Sequence, residues 1–311
     1  MVDSKADIQI IANGGAKGMM APSAREAFVA AVKRALPNAT VTFTSQEVKV
    51  DALVQSALRS GATMIVAGGG DGTVNAVASQ IVDTKTVLGV LPLGTLNHFA
   101  KDLGIPEEIE EALNVLVTGQ IATVDVGKVN DRYFVNNSGL GLYPEMVFNR
   151  EQRQKHGVSK WAAAFIESVR ALQRYRLLNI EIEIDGRRVQ RRTPAVFVGN
   201  NEYEFSAMRA QNRATLSAGL LSLYVPHPQS RLKLVWFCIR ALIGNPKADA
   251  EFDRFLAREF TIKTDQPLSV SLDGEVVNGK SPLKYESKHG ALRVMAPAEA
   301  SAGGVQLNYL S

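Results

Sequence analysis

A glycine-rich loop directly after an apolar run constrains this chain more than any other feature. Ile65 and Val66 lead into residues 68–73, Gly-Gly-Gly-Asp-Gly-Thr, and a helix-like segment begins at Val74. Glycines let the backbone approach a ligand closely, and a helix N-terminus offers free N–H groups and a partial positive charge. A strand, a glycine turn and a helix start therefore predict a phosphate-binding site.

The same loop has a simpler interpretation, a tight turn in which Asp71 and Thr73 only cap the helix. Its glycines lack the separation of a dinucleotide-binding fingerprint, and no Gly-Lys-Ser/Thr ends it as in a P-loop. A second cluster, Pro-Leu-Gly-Thr-Leu-Asn at 92–97, follows another apolar run. Both loops would leave a parallel sheet at its carboxyl edge, where ligands bind, so the pair predicts one shared nucleotide crevice.

Alternation of apolar runs and helical patterns fills the first third of the chain. Candidate strands are 8–12, 41–44, 64–67 and 87–91, and helical patterns begin at Pro22 and cover 52–58. This order predicts a three-layer α/β domain, in which helices cover both faces of a mostly parallel sheet.

Strand periodicity with intervening turns dominates after residue 121. Ile180, Ile182 and Ile184, for example, alternate with charged residues before a turn at Gly186. Further candidate strands are 122–129, 132–136, 196–199, 220–225, 260–264, 270–272 and 292–295, with two helical insertions at 158–175 and 230–244. The pattern predicts a second, β-rich domain.

Bulk composition narrows the function classes. The 311 residues are 46% hydrophobic and 21% charged, which is typical of globular chains, and their number favours two domains. The single cysteine, Cys238, lies in an apolar run, and a lone cysteine excludes a disulfide within the chain. A net charge of +4 suits nucleotide phosphates or an anionic membrane surface. It is too small to indicate nucleic acid, for which no motif is visible.

No secretion signal or membrane-spanning segment is predicted. Asp3, Lys5 and Asp7 interrupt the N-terminal residues, unlike a secretion signal. No run reaches the ~18 uncharged apolar residues that are needed to span a bilayer. We therefore expect a cytoplasmic protein without a transmembrane segment.

The two glycine motifs and three later stretches resemble the diacylglycerol kinase catalytic family, which includes bacterial lipid kinases and sphingosine kinases. The matching stretches are 69–75, 92–104, Asp125-Val126-Gly127, Phe134-Val135-Asn136-Asn137 with Gly139 and Gly141, and Asp273-Gly274-Glu275. Nicotinamide nucleotide kinases and phosphofructokinases share the first motif alone. The combination in this order is much more specific.

The resemblance implies an N-terminal α/β domain that binds the nucleotide, followed by a C-terminal β-sandwich. The expected ranges are 1–127 with a returning segment, 291–311, for the ATP-binding domain and 128–290 for the lipid-acceptor domain. The implied activity is transfer of the γ-phosphoryl group of ATP to a lipid hydroxyl with Mg²⁺, in the cleft between the domains. Diacylglycerol-like and sphingoid-like acceptors stay open, as does assembly into a homodimer.

The resemblance also assigns site residues position by position. Expected ATP contacts are Asn13, Thr44, Gly68, Gly69, Gly70, Asp71, Gly72, Thr73, Asn75, Gly94, Thr95 and Asn97. Asp71 and Asp125 are expected in a Mg²⁺-binding acidic network. Asp71 is also expected to be catalytic, with Glu275 as the general base and Asp273 beside it, because phosphoryl transfer needs metal-bound charge and a proton acceptor. Taken alone, Asp273-Gly274 is typical of an ordinary hairpin turn.

Several positions depart from the family pattern. His98 stands where many relatives have an aspartate, and a neutral imidazole does not hold Mg²⁺ as a carboxylate does. Alternatively, His98 only caps or packs in its helix. Ala76 replaces a frequent glutamate, and Asn13-Gly14 replaces the usual Asn-Pro. The stretch 216–219 lacks the aspartate of a structural Mg²⁺ site in the second domain, so we expect that site to be absent.

A basic segment suggests how such a protein meets a membrane. Residues 150–176 contain seven Lys and Arg and two acidic side chains, and Trp161, Phe165, Val169 and Leu172 share one helical face. A helix of this kind can lie on an anionic surface, which predicts reversible, peripheral binding of a lipid substrate at the inner face of the membrane. The alternative is a helix packed on the sheet with a solvated basic face.

Two other functions compete with lipid phosphorylation. One is an NAD kinase-like small-molecule kinase, which would share the first glycine loop. The other is a catalytically inactive regulator that binds nucleotide or lipid, a hypothesis motivated by His98 and Ala76. The presence of Asp71, Asp125 and Glu275 favours an active kinase.

Overall fold

The computed structural model describes residues 7–141, 177–206, 209–213, 215–227, 252–266, 268–298 and 305–310. Cys238, the basic segment 150–176 and the helical insertions predicted at 158–175 and 230–244 lie outside the described residues. Among the helices within them, none combines the length and the apolar character that crossing a membrane requires.

Strands and helices alternate through the first domain. The elements are β1 (Ile8–Ala12), the 3-10 helix η1 (Lys17–Met19), α1 (Pro22–Ala35), β2 (Thr40–Phe43), α2 (Val50–Ser60), β3 (Met64–Gly69), α3 (Asp71–Ile81), β4 (Val87–Pro92), α4 (His98–Asp102) and α5 (Ile109–Thr118). The strands lie in the order β2-β1-β3-β4, all parallel. Helix α2 contacts α3, and α1 contacts α5. The predicted three-layer α/β domain is confirmed.

Local chemistry explains why these elements begin and end where they do. Strands β3 and β4 are buried along their whole length, as apolar runs in the centre of a parallel sheet should be. Helix α1 begins at Pro22, which lacks the N–H that a first helical residue cannot use. Helix α2 ends at Gly61, whose φ of 84° suits glycine.

The second half of the chain is built from strands. They are β5 (Gln120–Val129), β6 (Arg132–Phe134), β7 (Asn137–Gly141), β8 (Leu178–Ile184), β9 (Arg187–Thr193), β10 (Ala195–Asn200), β11 (Tyr203–Ser206), β12 (Arg209–Arg213), β13 (Leu221–Pro226), β14 (Phe252–Ala257), β15 (Glu259–Thr264), β16 (Leu268–Leu272), β17 (Glu275–Gly279), β18 (Leu283–Ala296) and β19 (Asn308–Tyr309). One antiparallel sheet has the order β14-β13-β10-β7-β16-β17, and β18-β15-β8-β9 form the facing layer.

An apolar core joins the two layers of this sandwich. Ile180, Ile182 and Ile184 of β8 are buried, which confirms the predicted alternation. They belong to the same cluster as Leu140 of β7 and Leu223 of β13 in the opposite sheet. The predicted C-terminal β-sandwich is therefore confirmed.

Two long strands, β5 and β18, connect the domains. They pair with each other over most of their length, and the register shifts between Lys288 and Leu292. Strand β18 pairs with β15 near Leu283 and then runs parallel to β4 at Arg293, so one sheet continues through both domains. The domain ranges 1–127, 128–290 and 291–311 stay a prediction.

Several predicted strand boundaries are wrong, and two of them change which strands pair. The strand predicted at 292–295 begins at Leu283, because its polar first half pairs with β5 and β15. The strand predicted at 132–136 ends at Phe134, and β7 begins at Asn137. The backbone N–H groups of Val135 and Asn136, between these two strands, donate to the Asp273 carboxylate.

Candidate active site

The two glycine loops meet at the carboxyl ends of β3 and β4. Leu93 N donates to Gly69 O at 3.1 Å. A side chain on Gly94 would collide with the Gly70 backbone, so only glycine allows this close approach. The predicted arrangement of both loops at one sheet edge is therefore present.

Asn97 shapes the second loop from within. It adopts a left-handed backbone with φ of 50°, and its side chain is buried. Its Oδ1 accepts from Gly94 N at 3.0 Å, and its Nδ2 donates to Gly94 O at 3.0 Å. A contact of Asn97 with ATP stays a prediction, since the amide already closes the loop.

The other predicted nucleotide contacts line the same edge. Asn13 follows β1, where its Oδ1 accepts from Gly15 N at 2.9 Å, and Thr44 follows β2, where its N–H donates to Ala12 O at 2.8 Å. Thr95 is exposed in the second loop. Thr73 and Asn75 are buried within the first turns of α3. Four adjacent parallel strands thus present their carboxyl ends to one crevice.

Asp71 joins the two loops to the second domain. It is the first residue of α3, and its carboxylate accepts from His98 N at 3.2 Å and Phe99 N at 3.1 Å. Asn136 Nδ2 lies 3.3 Å from Asp71 Oδ1. These donors are the first amides of α4 and one side-chain amide, so they orient a carboxylate without neutralising it. The backbone N–H of His98 therefore binds Asp71, while the role of the His98 imidazole stays a prediction.

Glu275 faces the first glycine loop from the second domain. It is the first residue of β17 and is exposed. A methyl group built on Gly72 would lie 3.2 Å from Glu275 Oε1. Because Gly72 follows Asp71 in α3, the structure brings the two predicted catalytic carboxylates to one crevice. Sequence order alone, with about two hundred residues between them, does not show this.

Asp273 anchors the turn that carries Glu275. Asp273 and Gly274 have φ of 47° and 94°, which two-residue hairpin loops favour. The Asp273 carboxylate accepts backbone N–H groups from Val135, Asn136 and Asn137 at 2.7 to 2.9 Å. The turn interpretation is thus correct for the backbone, and the side chain also fastens residues 135–137 beside the crevice.

Burial raises the pKa of Asp273 to about 7, because a carboxylate loses its hydration there. The three amide hydrogen bonds act in the opposite direction, and the negative charge of Asp71 reinforces the effect of burial. The protonation of Asp273 therefore depends on the negative charge of Asp71 in the crevice. Its direct catalytic role stays a prediction.

Asp125 has a more enclosed environment than Asp71. Its side chain has no exposed surface, and its Oδ2 accepts from Gly219 N at 2.6 Å. Its Oδ1 accepts from Gly290 N at 2.8 Å and lies 2.8 Å from His289 Nδ1. These contacts tie the crossing strands β5 and β18 to the 216–219 stretch. Because the Asp125 side chain has no exposed surface, a Mg²⁺ ion could reach it only if the surrounding packing opened.

The side chains of the crevice suit a metal ion that arrives bound to phosphates better than one held by the protein alone. Among the residues that the structure describes, no group of three or more His, Cys, Asp or Glu side chains is arranged to hold a metal. Asp71 keeps acceptor capacity beyond its three donors, since a carboxylate has about four lone-pair sites. It therefore fits as one ligand of Mg²⁺ carried by phosphates.

Asn136 and Arg213 are site residues whose contacts the sequence does not reveal. Asn136 lies in a recognised motif, but its bond to Asp71 spans 65 positions. Arg213 is fully buried and donates to the Asn136 side chain and to Asp102. No periodicity around residue 213 distinguishes a buried arginine from a solvated one.

Comparison with known proteins agrees with this architecture. Residues 7–129 match the family model of the diacylglycerol kinase catalytic domain, and residues 146–296 match the YegS C-terminal NAD kinase beta sandwich-like domain. A putative diacylglycerol kinase from Bacillus anthracis shares the fold with a TM-score of 0.70 at 22% identity, over 93% of this chain and 96% of that one.

The sequence relatives include proteins named diacylglycerol kinase. The diacylglycerol kinase of Bacillus subtilis is 28% identical over 76% of this chain and 78% of its own length. The diacylglycerol kinase of Staphylococcus aureus is 27% identical over 78% and 77%. An uncharacterized Synechocystis protein is 29% identical over 85% of this chain, which spans only 64% of that protein. With both domain models matched in order around the crevice, the chain belongs to the diacylglycerol kinase catalytic-domain family.

Proposed function

We propose that the protein is an ATP-dependent lipid kinase that transfers the γ-phosphoryl group of ATP to a lipid hydroxyl. The placement of Glu275 beside Gly72 and Asp71 carries the proposal, since a carboxylate of one domain faces the glycine loop of the other. The relatives named diacylglycerol kinase support a kinase of this type.

Each part of the crevice has a role in this reaction. The amides of the 68–73 loop and the start of α3 would bind phosphate oxygens, as helix N-termini do. Asn13, Thr44 and Thr95 would contact the rest of ATP from the same sheet edge. Bound Mg²⁺ would neutralise charge on the phosphates, with Asp71 as a protein ligand, while a contact of Mg²⁺ with Asp125 stays a prediction.

Glu275 would act as the general base. Its exposed position at the start of β17 leaves it accessible to an incoming hydroxyl, and its proximity to Gly72 places it beside the phosphate loop. A base must lie within hydrogen-bond reach of the proton that it removes. Asp273 would support this base by fixing the turn before it.

The acceptor is proposed to be a membrane lipid that the protein reaches by reversible, peripheral binding from the cytoplasm. Besides the basic segment 150–176, the exposed side chains of Arg187, Arg188 and Arg192 lie along β9, an edge strand of the large sheet. Basic side chains of this kind attract anionic lipid headgroups.

A phosphate-transfer panel tests the proposal. Purified protein is incubated with radiolabelled ATP, Mg²⁺ and each of dioctanoylglycerol, a sphingoid base, phosphatidylglycerol, an isoprenoid alcohol and NAD. We expect a labelled lipid product, a loss of roughly 100-fold or more in Glu275→Gln, and no change in Glu259→Gln, an exposed glutamate of β15. Phosphorylation of NAD without lipid would instead identify an NAD kinase-like enzyme, and transfer to no acceptor would refute the proposal.

A further inference from the structure

A buried ion pair lies behind the crevice and has no direct part in the chemistry proposed above. Arg213 Nη2 lies 2.7 Å from Asp102 Oδ2, and the Arg213 side chain has no exposed surface. Asp102 ends α4 in the first domain, whereas Arg213 ends β12 in the second half of the chain. A buried ion pair is costly unless its polar atoms are all bonded, so its presence needs a reason.

Every N–H group of the guanidinium has an acceptor. Nε and Nη2 donate to Asp102 Oδ2 at 2.9 and 2.7 Å. Nη1 donates to Val135 O at 2.7 Å and Asn200 O at 3.1 Å, and the second Nη2 proton reaches Asn136 Oδ1 at 3.1 Å. Burial acts to lower the pKa of Arg213, but the carboxylate of Asp102 acts against it and the pKa is raised, so the group stays charged.

The first route from Arg213 to Asp71 runs through an amide. Because Arg213 donates to Asn136 Oδ1, the Nδ2 of the same amide is turned toward Asp71 Oδ1, which lies 3.3 Å away. An unheld asparagine would exchange these two ends by a simple rotation. The arginine thus decides which end of the amide faces the carboxylate.

The second route runs through α4. Asp102 fixes the C-terminal end of this short helix to Arg213, and the first amides of the helix donate to Asp71. Both routes therefore end on one carboxylate, from two directions.

We propose that Arg213 is a positioning residue for phosphoryl transfer, which holds Asp71 toward the crevice through the Asn136 amide and through α4. This inference rests on the proposed function, because it names a residue that supports the same site. Lysine would not replace the arginine, since it carries its donors on a single nitrogen and cannot span Asp102 and Asn136 in a fixed plane.

A double-mutant cycle between Arg213→Lys and Asn136→Ala tests this assignment. The readouts are kcat for phosphorylation of dioctanoylglycerol, KM for ATP and the free energy of unfolding in urea. We expect Arg213→Lys alone to lower kcat by about 10-fold while KM for ATP changes less than about 2-fold. In the Asn136→Ala background, the same change should lower kcat by less than about 3-fold, because the amide route is already cut.

Measurements of the free energy of unfolding separate a positioning role from a general loss of folded protein. The lysine still pairs with Asp102 but loses the hydrogen bond to Asn136, so Arg213→Lys should reduce the free energy of unfolding less in the Asn136→Ala background, and kcat is compared per folded molecule. Arg191→Lys, at an ion pair with Asp253 outside the crevice, is the matched control and should leave kcat unchanged. An equal fold-loss of kcat in both backgrounds would overturn the proposal, as would a loss that disappears after correction for the unfolded fraction.

A signal that needs no activity keeps the two proposals apart. If the wild type phosphorylates no acceptor, the proposed function fails, but the side-chain amide resonances of Asn136 still report its orientation. Signals that exchange slowly in the wild type and shift and exchange faster in Arg213→Lys support positioning. Identical Asn136 signals in the two proteins contradict it.

Discussion

Asp71 and Asp125 are the two carboxylates that the family resemblance assigns to one metal network, yet their surroundings differ. Asp71 is partly exposed and accepts the first amides of α4, with Glu275 nearby across the crevice. Asp125 is enclosed where β5 and β18 cross, and its acceptors are occupied by Gly219, Gly290 and His289. The first arrangement leaves a charge available to a ligand, and the second uses a charge to hold strands together.

This difference indicates a role in the reaction for Asp71 and a structural role for Asp125. Each carboxylate has three hydrogen-bond partners, so exposure is the difference between them: Asp71 is partly exposed and can reach Mg²⁺ or phosphate, while the Asp125 side chain has no exposed surface. Substitutions at the two positions should therefore affect activity and stability in opposite proportions.

The largest effect is expected for Asp71→Asn on activity. Removing the negative charge beside the phosphate loop should lower kcat for phosphorylation of dioctanoylglycerol by about 1,000-fold, the upper range for a single electrostatic group. The amide oxygen still accepts one N–H of α4, so the melting temperature should fall by only a few degrees. Asp51→Asn, at an exposed carboxylate in the first turn of α2, is the control for both measurements.

The next largest effect is expected for Asp125→Ala on stability. The change leaves the buried N–H of Gly219 and the N–H of Gly290 without their acceptor, which should cost roughly 2–4 kcal/mol of the free energy of unfolding in urea. Residual kcat per folded molecule should stay above that of Asp71→Asn. A stable Asp125→Asn protein with activity as low as Asp71→Asn would instead show that Asp125 binds the metal.

A third aspartate, Asp273, should make the stability of the protein depend on pH. Its pKa is about 7 in the folded protein and 3.8 as an ordinary side chain, so the folded state binds its proton more tightly. The resulting stabilisation is complete below about pH 4 and is lost as the pH rises through about 7. The wild type should therefore lose stability relative to Asp273→Asn across this window, by at most ~1.4 kcal/mol per pH unit. Urea unfolding at intervals between these limits measures the difference, and a constant difference would contradict the shifted pKa.

Local sequence signals predicted the first domain better than the second for a physical reason. The strands β1 and β3 are short, buried and next to glycine loops, so their pattern is complete within a few residues. Strand β18 is half polar, and only its pairing with β5 and β15 reveals that it begins at Leu283.

The site shows the same limit. The sequence predicted which residue types would meet, because Asp71 and Glu275 belong to motifs. It did not predict how they are held, since Asp273 binds amides more than 130 positions away and Arg213 binds Asp102 across 111 positions. Contacts over such separations leave no periodic pattern in a single chain.

The smallest effect is expected for Gly72→Ala, which tests whether Glu275 must lie close to the glycine loop. The added methyl group would lie 3.2 Å from Glu275 Oε1, so this flexible side chain must move by a few tenths of an ångström. Alanine in α3 should raise the free energy of unfolding by up to ~1 kcal/mol, while displacement of the base should lower kcat about 3- to 10-fold. Calorimetry and the dioctanoylglycerol assay measure the two quantities. A variant that is more stable and fully active would show that Glu275 needs no close contact with the glycine loop, and the base would then have to be sought elsewhere in the crevice.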